Sequence, residues 1–463
     1  MNILLINPPN IPFSETKLLI EPIDLITLAT YLQELNHNIK FLDMDLKKID
    51  SEGLTKYIKN QFMPDIVILS YDYHIPLHTQ KALENISKIC KKLKEHKIQI
   101  IMIGKTVTYN PRIINTIDFD IGIIGEVENT IKDVLNTEIN NKERLSIIKG
   151  IVYKKGSKII INKPDKEKYN LDKLPIPNRN IVELKDYIDI RSILTSRGCI
   201  NKCDFCPTYN YWGNWRGKSA KHVVTEIEYL INNFNAKKII FLDDNATVNK
   251  KRMQDISKLI IEKKINIKLG CLASINTYDK QTFELMYKAG FRWVHFGIES
   301  GSQKVLEKNN KNFNVEYAKK VIKEVKQIGY RIRASFIFDL PTTTKEDMEK
   351  TIEFIIQTEP DEIRGHFLTL RLGTKIYNKL AKGKEIPTQY IHSDKPLLES
   401  KIYTNSEILQ DIGILINKLK DKKYKIIHNV KEWEDLEKLR NEEGKIKFLS
   451  FCPSKYGIDW ESK

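Results

Sequence analysis

Long apolar runs are missing from this 463-residue chain. None approaches about 18 residues, the length at which a helix can span a bilayer, so no transmembrane helix and no membrane partner are expected. The opening stretch, residues 1–9, has no basic region and no small-residue cleavage site; it reads as a first strand rather than a signal peptide. Cysteine is scarce, with six residues in all: Cys90, Cys199, Cys203, Cys206, Cys271 and Cys452. Three stand alone and three are clustered, which is no disulfide framework, and a reducing cytoplasm is expected. Acidic residues are outnumbered 60 to 76 by basic ones, a net charge of +16. Such an excess suits an RNA or acidic partner. Here, however, the lysines are dispersed, as at Lys91, Lys92, Lys94, Lys418, Lys420, Lys422 and Lys423, and no RNA-binding module is recognisable. Solvated helix faces account for them, and nucleic acid is not expected as a partner.

What is present is the run Cys199, Cys203, Cys206, spaced C-x3-C-x2-C directly after a strand-like segment. Three thiolates this close can hold three irons of a four-iron, four-sulfur cluster, one short of the four-cysteine protein set. The missing ligand leaves one iron open to a substrate or cosubstrate. A zinc site would call for paired spacings and a fourth ligand, and no Cys or His pair follows nearby.

The chain length allows two or three domains. Strand candidates at 3–6, 39–42, 66–70, 98–103 and 120–124 alternate with helix-length segments, which implies an α/β doubly wound, Rossmann-like parallel sheet over 1–140. Ligands of such sheets lie beyond the carboxyl ends of the strands. Residues 141–190 read as a connector with a hairpin at 150–162. Strand candidates at 191–195, 238–242, 268–272, 293–297, 331–338 and 362–370 read as a partial (β/α) barrel over 191–375, whose catalytic residues belong at the C-terminal strand ends. Residues 376–463 are expected to be a small C-terminal cap with a helix at 405–419.

The run R-G-C-x3-C-x2-C, with Phe205 before its third cysteine, resembles the radical S-adenosylmethionine (SAM) enzymes. The resemblance implies that Cys199, Cys203 and Cys206 ligate a [4Fe-4S] cluster whose open iron chelates SAM. One electron then yields a 5′-deoxyadenosyl radical. Arg197 and Lys202 are expected to help keep the thiols ionised. Asp243 and Asp244, ending the second barrel strand, are candidates for the methionine ammonium or for a helix N-cap. Glu299 and Ser300, in G-x-E-S-G after the fourth strand, are placed near SAM. Arg333 and Ser335 share one strand face, and Arg333 is open to the SAM carboxylate or to a barrel-wall salt bridge. Asp339 and Thr342 stand where the family has glycines, so a different backbone is expected there. Tyr209, Tyr211, Trp212 and Trp215 are expected mainly to pack between domains.

The N-terminal region resembles the cobalamin-binding domain that precedes some radical SAM enzymes. The resemblance is carried by Asn7, Pro8 and Pro9, by 21–25 and 28–32, by 36–39, by 64–70 and by 124–130. It places Gly104, Gly125 and Glu126 near cobalamin, although Lys105 stands where paired glycines are common. The cobalt-ligating D-x-H-x-x-G of other cobalamin proteins is absent after the first strand. Asp72 and His74 echo it after the third strand, without the glycine. His74 is thus a candidate lower-face ligand or an ordinary loop residue, and Tyr71 or Tyr73 could instead block that face.

Together these imply a cobalamin-dependent radical SAM methyltransferase acting on an unactivated carbon of a peptide, protein or small molecule. Ferredoxin or flavodoxin would supply electrons, in an anaerobic cytoplasm. The alternatives are a non-methylating cyclase or ring-contracting enzyme and a non-enzymatic cobalamin or redox sensor. An RNA methylthiotransferase would need a second cysteine trio, and the N-terminal region has Cys90 alone.

Overall fold

A computed structural model describes residues 1–9, 20–71, 80–165, 167–381, 403–427, 432 and 446–451. The chain forms an α/β structure built on two large sheets. The first contains β1 (Asn2–Asn7), β2 (Asn38–Asp43), β3 (Ile66–Ser70), β4 (Gln99–Ile103), β5 (Ile121–Ile123), β6 (Ile151–Lys155) and β7 (Lys158–Ile161), in the order β2-β1-β3-β4-β5-β6-β7. Every residue of β3 is buried, as a central parallel strand covered on both faces requires. Helices such as Ile23–Glu34 and Gln80–Glu95 supply those covers. All five expected strands are present and mutually parallel. The hairpin expected in the connector instead extends this sheet: β6 pairs antiparallel with β5, and β7 with β6.

Next come β8 (Arg191–Ile193), β9 (Ser196–Arg197), β10 (Arg216–Gly217), β11 (Lys238–Phe241), β12 (Lys268–Ala273), β13 (Phe291–Glu299), β14 (Arg331–Ile337), β15 (Glu362–His366), β16 (Lys425–Ile427) and β17 (Phe448–Phe451). Eight of them make the second sheet, ordered β16-β17-β15-β14-β13-β12-β11-β8, with every pairing parallel. The region expected only as a cap therefore also lends two strands to the barrel sheet. Its helix, Asn405–Asp421, buries Ile408, Ile412 and Leu415 in the same core as Ile352 and Ile355.

Alternation along β13 separates the two sides of the barrel sheet. Val294, Phe296 and Ile298 point into the helix-covered core, leaving Trp293, His295, Gly297 and Glu299 on the other face. Capping residues fix where the helices start. The Asp279 and Asn314 side chains accept from backbone N–H groups at Thr282 and Tyr317, and Thr344 with Asp347 forms a reciprocal capping box. Among the described residues, no helix is long and apolar enough to cross a membrane.

A buried ionic knot joins the connector to the barrel. Arg179, 0% exposed, donates to the carbonyl oxygens of Pro177 (3.0 Å) and Ser192 (2.6 Å) and to Glu226 (3.2 Å). Lys218 reaches the other Glu226 oxygen at 3.1 Å. Burial opposes ionisation of Glu226, but Lys218 and Arg179 outweigh it and hold the carboxyl below its usual range. Removing one partner of such a knot strands a buried charge. Arg179→Leu should therefore lower stability by about 3–5 kcal/mol, measured as a shift in the denaturant midpoint at pH 7.

Candidate active site

The three cysteines sit on the loop leaving β8. Asp243, at the end of β11 and 0% exposed, anchors its start. It accepts from Thr195 N (2.6 Å), Thr195 Oγ1 (2.5 Å) and Ser196 Oγ (2.6 Å). Gly198 then turns the chain with φ of 89°. A Cβ there would lie 3.0 Å from the carbonyl oxygens of Gly213 and Asn214, so this position requires glycine. Further along, Asp204 N donates to Asn309 O (3.0 Å), Ile376 N to Asp204 O (3.1 Å) and Asn310 Nδ2 to Asp204 Oδ1 (2.5 Å). Phe205 packs beside Val305, Leu340, Leu368 and Ile376. The loop is thus held from several sides before any iron arrives.

All three are free thiols; Cys203 is buried, and Cys199 and Cys206 are partly exposed. Asn201 N and Asn245 Nδ2 donate to Cys199 Sγ at 3.4 and 3.8 Å. Among the described residues, no three Cys, His, Asp or Glu side chains converge on a single ion. Three thiols on one short loop suit the separate irons of a cluster. The expected ionisation by Arg197 and Lys202 is corrected. Arg197 is engaged by glutamates, and the Lys202 ammonium sits 4.4 Å from the centre of the Tyr209 ring. Burial pushes Cys203 up to about 12, partly countered by Lys311. Burial also raises Cys199, against hydrogen bonds from Asn201 and Asn245. Deprotonation is therefore left to metal binding.

Glu299 ends β13 with φ of 71°, a left-handed conformation that costs a non-glycine residue energy. Its carboxylate meets Lys311 Nζ at 3.2 Å. A Cβ on Gly297 would be 2.5 Å from Glu299 Oε1 and 3.1 Å from Lys311 Nζ, so glycine makes room for the pair. Burial lowers the Lys311 pKa, but Glu299 and the Cys203 thiol outweigh it and the net direction is upward. Ser300 turns away into the helix Lys345–Thr358, with its Oγ 3.1 Å from Thr351 Oγ1 and accepting from Ser302 N. Gly301 lets that helix approach, since a Cβ would be 2.6 Å from Lys350 O. Asp244 Oδ1 accepts from Thr208 (3.0 Å) and Oδ2 from Gly198 N (3.4 Å). Burial raises its pKa, and Lys105 from the first sheet opposes that.

Of the two options left open for Arg333, the structure has the wall salt bridge. Its guanidinium meets Glu362 at 2.6 Å and lies 4.7 Å from the centre of the Trp293 ring. Ser335 Oγ is 2.5 Å from His295 Nε2. Burial, then Arg333, Arg364 and His366, hold His295 well below its usual range, so it is neutral. Thr342 adopts φ of 79°, so this turn keeps a backbone that glycine adopts readily.

The two sheets meet across this loop. Arg197 donates to Glu128 Oε1 (2.6 Å) and to Glu126 Oε2 (3.2 Å), and Arg216 to Glu126 Oε1 (2.7 Å). Lys168 adds a third cation, 3.4 Å from Glu126. Glu126, expected near cobalamin, is thus engaged in gripping the barrel. Gly125 N donates to Thr108 Oγ1 (2.9 Å), Tyr211 Oη to Gly125 O (3.3 Å) and Tyr109 Oη to Pro207 O (2.8 Å). Gly104 (φ 112°) precedes the short helix Lys105–Tyr109. A Cβ on Gly125 would meet nothing within 4 Å, so open space lies beside this backbone, as close approach of a flat ligand requires. Tyr211 and Trp212 pack edge to face at 4.5 Å within the interface, as expected. Tyr71 is fully buried in the core beside β3. Tyr73 and His74 lie outside the described residues. Sequence reasoning missed Lys311 and His295, which belong to no motif, and it read Glu128 only as part of 124–130, without its partner Arg197.

Residues 193–355 match a family model described as the Radical SAM superfamily. The chain is 29% identical over 426 residues to an uncharacterized methyltransferase of Pyrococcus horikoshii, spanning 88% of this chain and 90% of that one. It is 28% identical over 329 residues to a protein of Methanocaldococcus jannaschii that carries a methylthiotransferase name, spanning 69% of each. Among solved structures it resembles TsrM of Kitasatospora setae, a radical SAM methyltransferase solved with tryptophan and a SAM analogue. The TM-score is 0.71 at 17% identity, over 82% of this chain and 76% of that one. The three-cysteine loop and most of the parallel barrel sheet lie within the residues that match the radical SAM model, so this part of the chain resembles a radical SAM domain. More particularly, its fold is that of TsrM, with a Rossmann-like domain ahead of the barrel.

The interface clamp has a definite pH response. Burial opposes the Glu128 charge, but Arg197 wins and holds the carboxyl below its usual 4.5. That stabilisation is complete above the usual value and fades as pH falls through the lowered one. Glu128→Gln should be less stable than the parent at pH 7. The gap should close progressively on acidification below pH 4.5, as read from urea midpoints across pH.

Proposed function

We propose that this chain is a cobalamin-dependent radical SAM methyltransferase that methylates an unactivated carbon. One observation carries the reading: the loop bearing Cys199, Cys203 and Cys206 is tied to the loops leaving β4 and β5, where a Rossmann-like sheet binds its ligand. When bound, the cluster with SAM supplies a 5′-deoxyadenosyl radical, and the corrinoid supplies a methyl group.

The chain's own residues then have defined tasks. Cys199, Cys203 and Cys206 hold three irons. Glu299 accepts hydrogen bonds from the SAM ribose, exchanging part of its contact with Lys311 for them. Asp244, beside the loop, receives the methionine ammonium, while Asp243 stays with Thr195 and Ser196. Ser300 and Ser335 act by holding the strand ends. Gly104 and Gly125 would let backbone approach the corrin; Tyr71, buried in the core, is withdrawn from that role, which leaves Tyr73 or His74 as the candidates to contact it. The first sheet, through β7, would form the cobalamin domain, and 191–375 with β16 and β17 the radical SAM domain, while the region after 376 would also help select a peptide, protein or small-molecule substrate. Reduced ferredoxin or flavodoxin delivers electrons in an anaerobic cytoplasm. A methylthio transfer is disfavoured, because Cys90 is buried in the first core, with its thiol pushed up to about 12 by burial.

Anaerobic reconstitution with iron, sulfide and hydroxocobalamin tests the reading. The wild type should bind a four-iron cluster and corrinoid and cleave SAM to 5′-deoxyadenosine. Cys203→Ala should lose cleavage to background while keeping corrinoid. Cluster and cleavage without corrinoid would move the chain to the cobalamin-independent enzymes.

A further inference from the structure

Lys311 belongs to no recognised motif, and the proposed mechanism does not use its charge. Its ammonium is nevertheless built into the site with care. The turn carrying it, 309–311, is bonded to the cysteine loop through Asp204 N to Asn309 O (3.0 Å) and Asn310 Nδ2 to Asp204 Oδ1 (2.5 Å). Asn310 takes φ of 54° to make that turn, and Lys311 N closes it onto Leu306 O at 2.9 Å. The side chain is only 9% exposed, and its ammonium lies 3.2 Å from Glu299 Oε1.

Lys311 favours the Cys203 thiolate, against Cys206, Glu299 and Cys199, all negative when ionised. A second cation, Lys375, is paired with Asp204 at 3.1 Å. The two cations nearest in sequence are turned elsewhere, Arg197 onto Glu126 and Glu128 and Lys202 onto Tyr209. Three thiolates around a four-iron cluster in its oxidised state leave a net negative charge, and one-electron reduction adds another. A fixed cation shielded from water favours the more negative state, and local charge is among the levers that set cluster potentials.

We propose that Lys311 tunes the cluster: held between Glu299 and the Cys203–Cys206 turn, its ammonium raises the midpoint potential by stabilising the one-electron-reduced form. The electron comes from a low-potential donor, and no bond forms or breaks in this step. Glu299 offsets part of the effect, so occupation of Glu299 by a ligand's hydroxyl groups would free more of the Lys311 charge for the cluster. Reduction and cosubstrate binding are thereby linked through one ion pair. The inference rests on the cysteines holding a four-iron cluster, but not on methyl transfer.

Redox titration of the reconstituted full chain, followed by electron paramagnetic resonance in the absence of SAM, tests this directly. Lys311→Met should move the midpoint to more negative potential by at least a tenfold change in the redox equilibrium, about 59 mV for one electron. Lys311→Arg should restore most of the shift. Glu299→Gln should move the midpoint the other way, a test that stands even where Lys311→Met assembles poorly. A midpoint in either Lys311→Met or Glu299→Gln that coincides with the parent overturns the proposal. Iron and acid-labile sulfide counted on the same samples test the cluster itself, so the two readings fail separately.

Discussion

The grip of Arg197 on Glu126 and Glu128 is the constraint on which the rest depends. One residue later the chain turns at Gly198 and enters the cysteine loop. The residue that fixes the first sheet against the second is thus one residue away from the cysteine loop. A largely enclosed arginine between two carboxylates is costly to desolvate and tolerates little misplacement. That cost becomes useful where two reactive groups, carried by different domains, must face each other in a fixed register. Arg216 and Lys168 spread the same grip over neighbouring segments.

A second layer of order lies at the strand ends. Asp243 binds the exits of β8 and β11 together. Asp339 receives Leu368 N at 2.5 Å and so joins the segments that follow β14 and β15. Ser302 and Lys304 both meet Asp347 at the start of the helix Lys345–Thr358. Each uses a carboxylate as a fixed acceptor for backbone or side-chain donors in the segments that follow the strands. Chemistry at the mouth of the barrel then takes place on a frame that does not have to be assembled by the ligand.

The cysteine loop was legible because ligand spacing is dictated by the cluster and is local in sequence. The parallel strands were legible because runs such as 66–69 are apolar without alternation, the mark of a strand covered on both faces. Other features depend on contacts distant in sequence. Asp243 and Asp244 are neighbours at a strand end, and only the pleat decides which faces Thr195 and which faces Thr208. Lys311 is one of 76 basic residues and becomes special only because Gly297 leaves room for its amine. Arg197 carries a charge that suits a thiolate, and nothing local reveals that Glu126 and Glu128, some seventy residues earlier, take it instead. The strands β16 and β17 are short and follow long segments with no strand signal, so their pairing is a property of the folded sheet.

That pairing gives the barrel sheet a particular birth order. β15 is flanked on one side by β14, close in sequence, and on the other by β17, whose residues are Phe448–Phe451. During synthesis the edge of β15 stays open until more than eighty further residues have been made, to judge from the Glu362↔Phe448 register. An open, parallel edge over an apolar core is a template for pairing with the wrong chain, and long-range parallel closure is slow. The nascent protein therefore spends an interval as a nearly finished barrel that is sticky along one side, when chaperone capture and metal loading compete with aggregation.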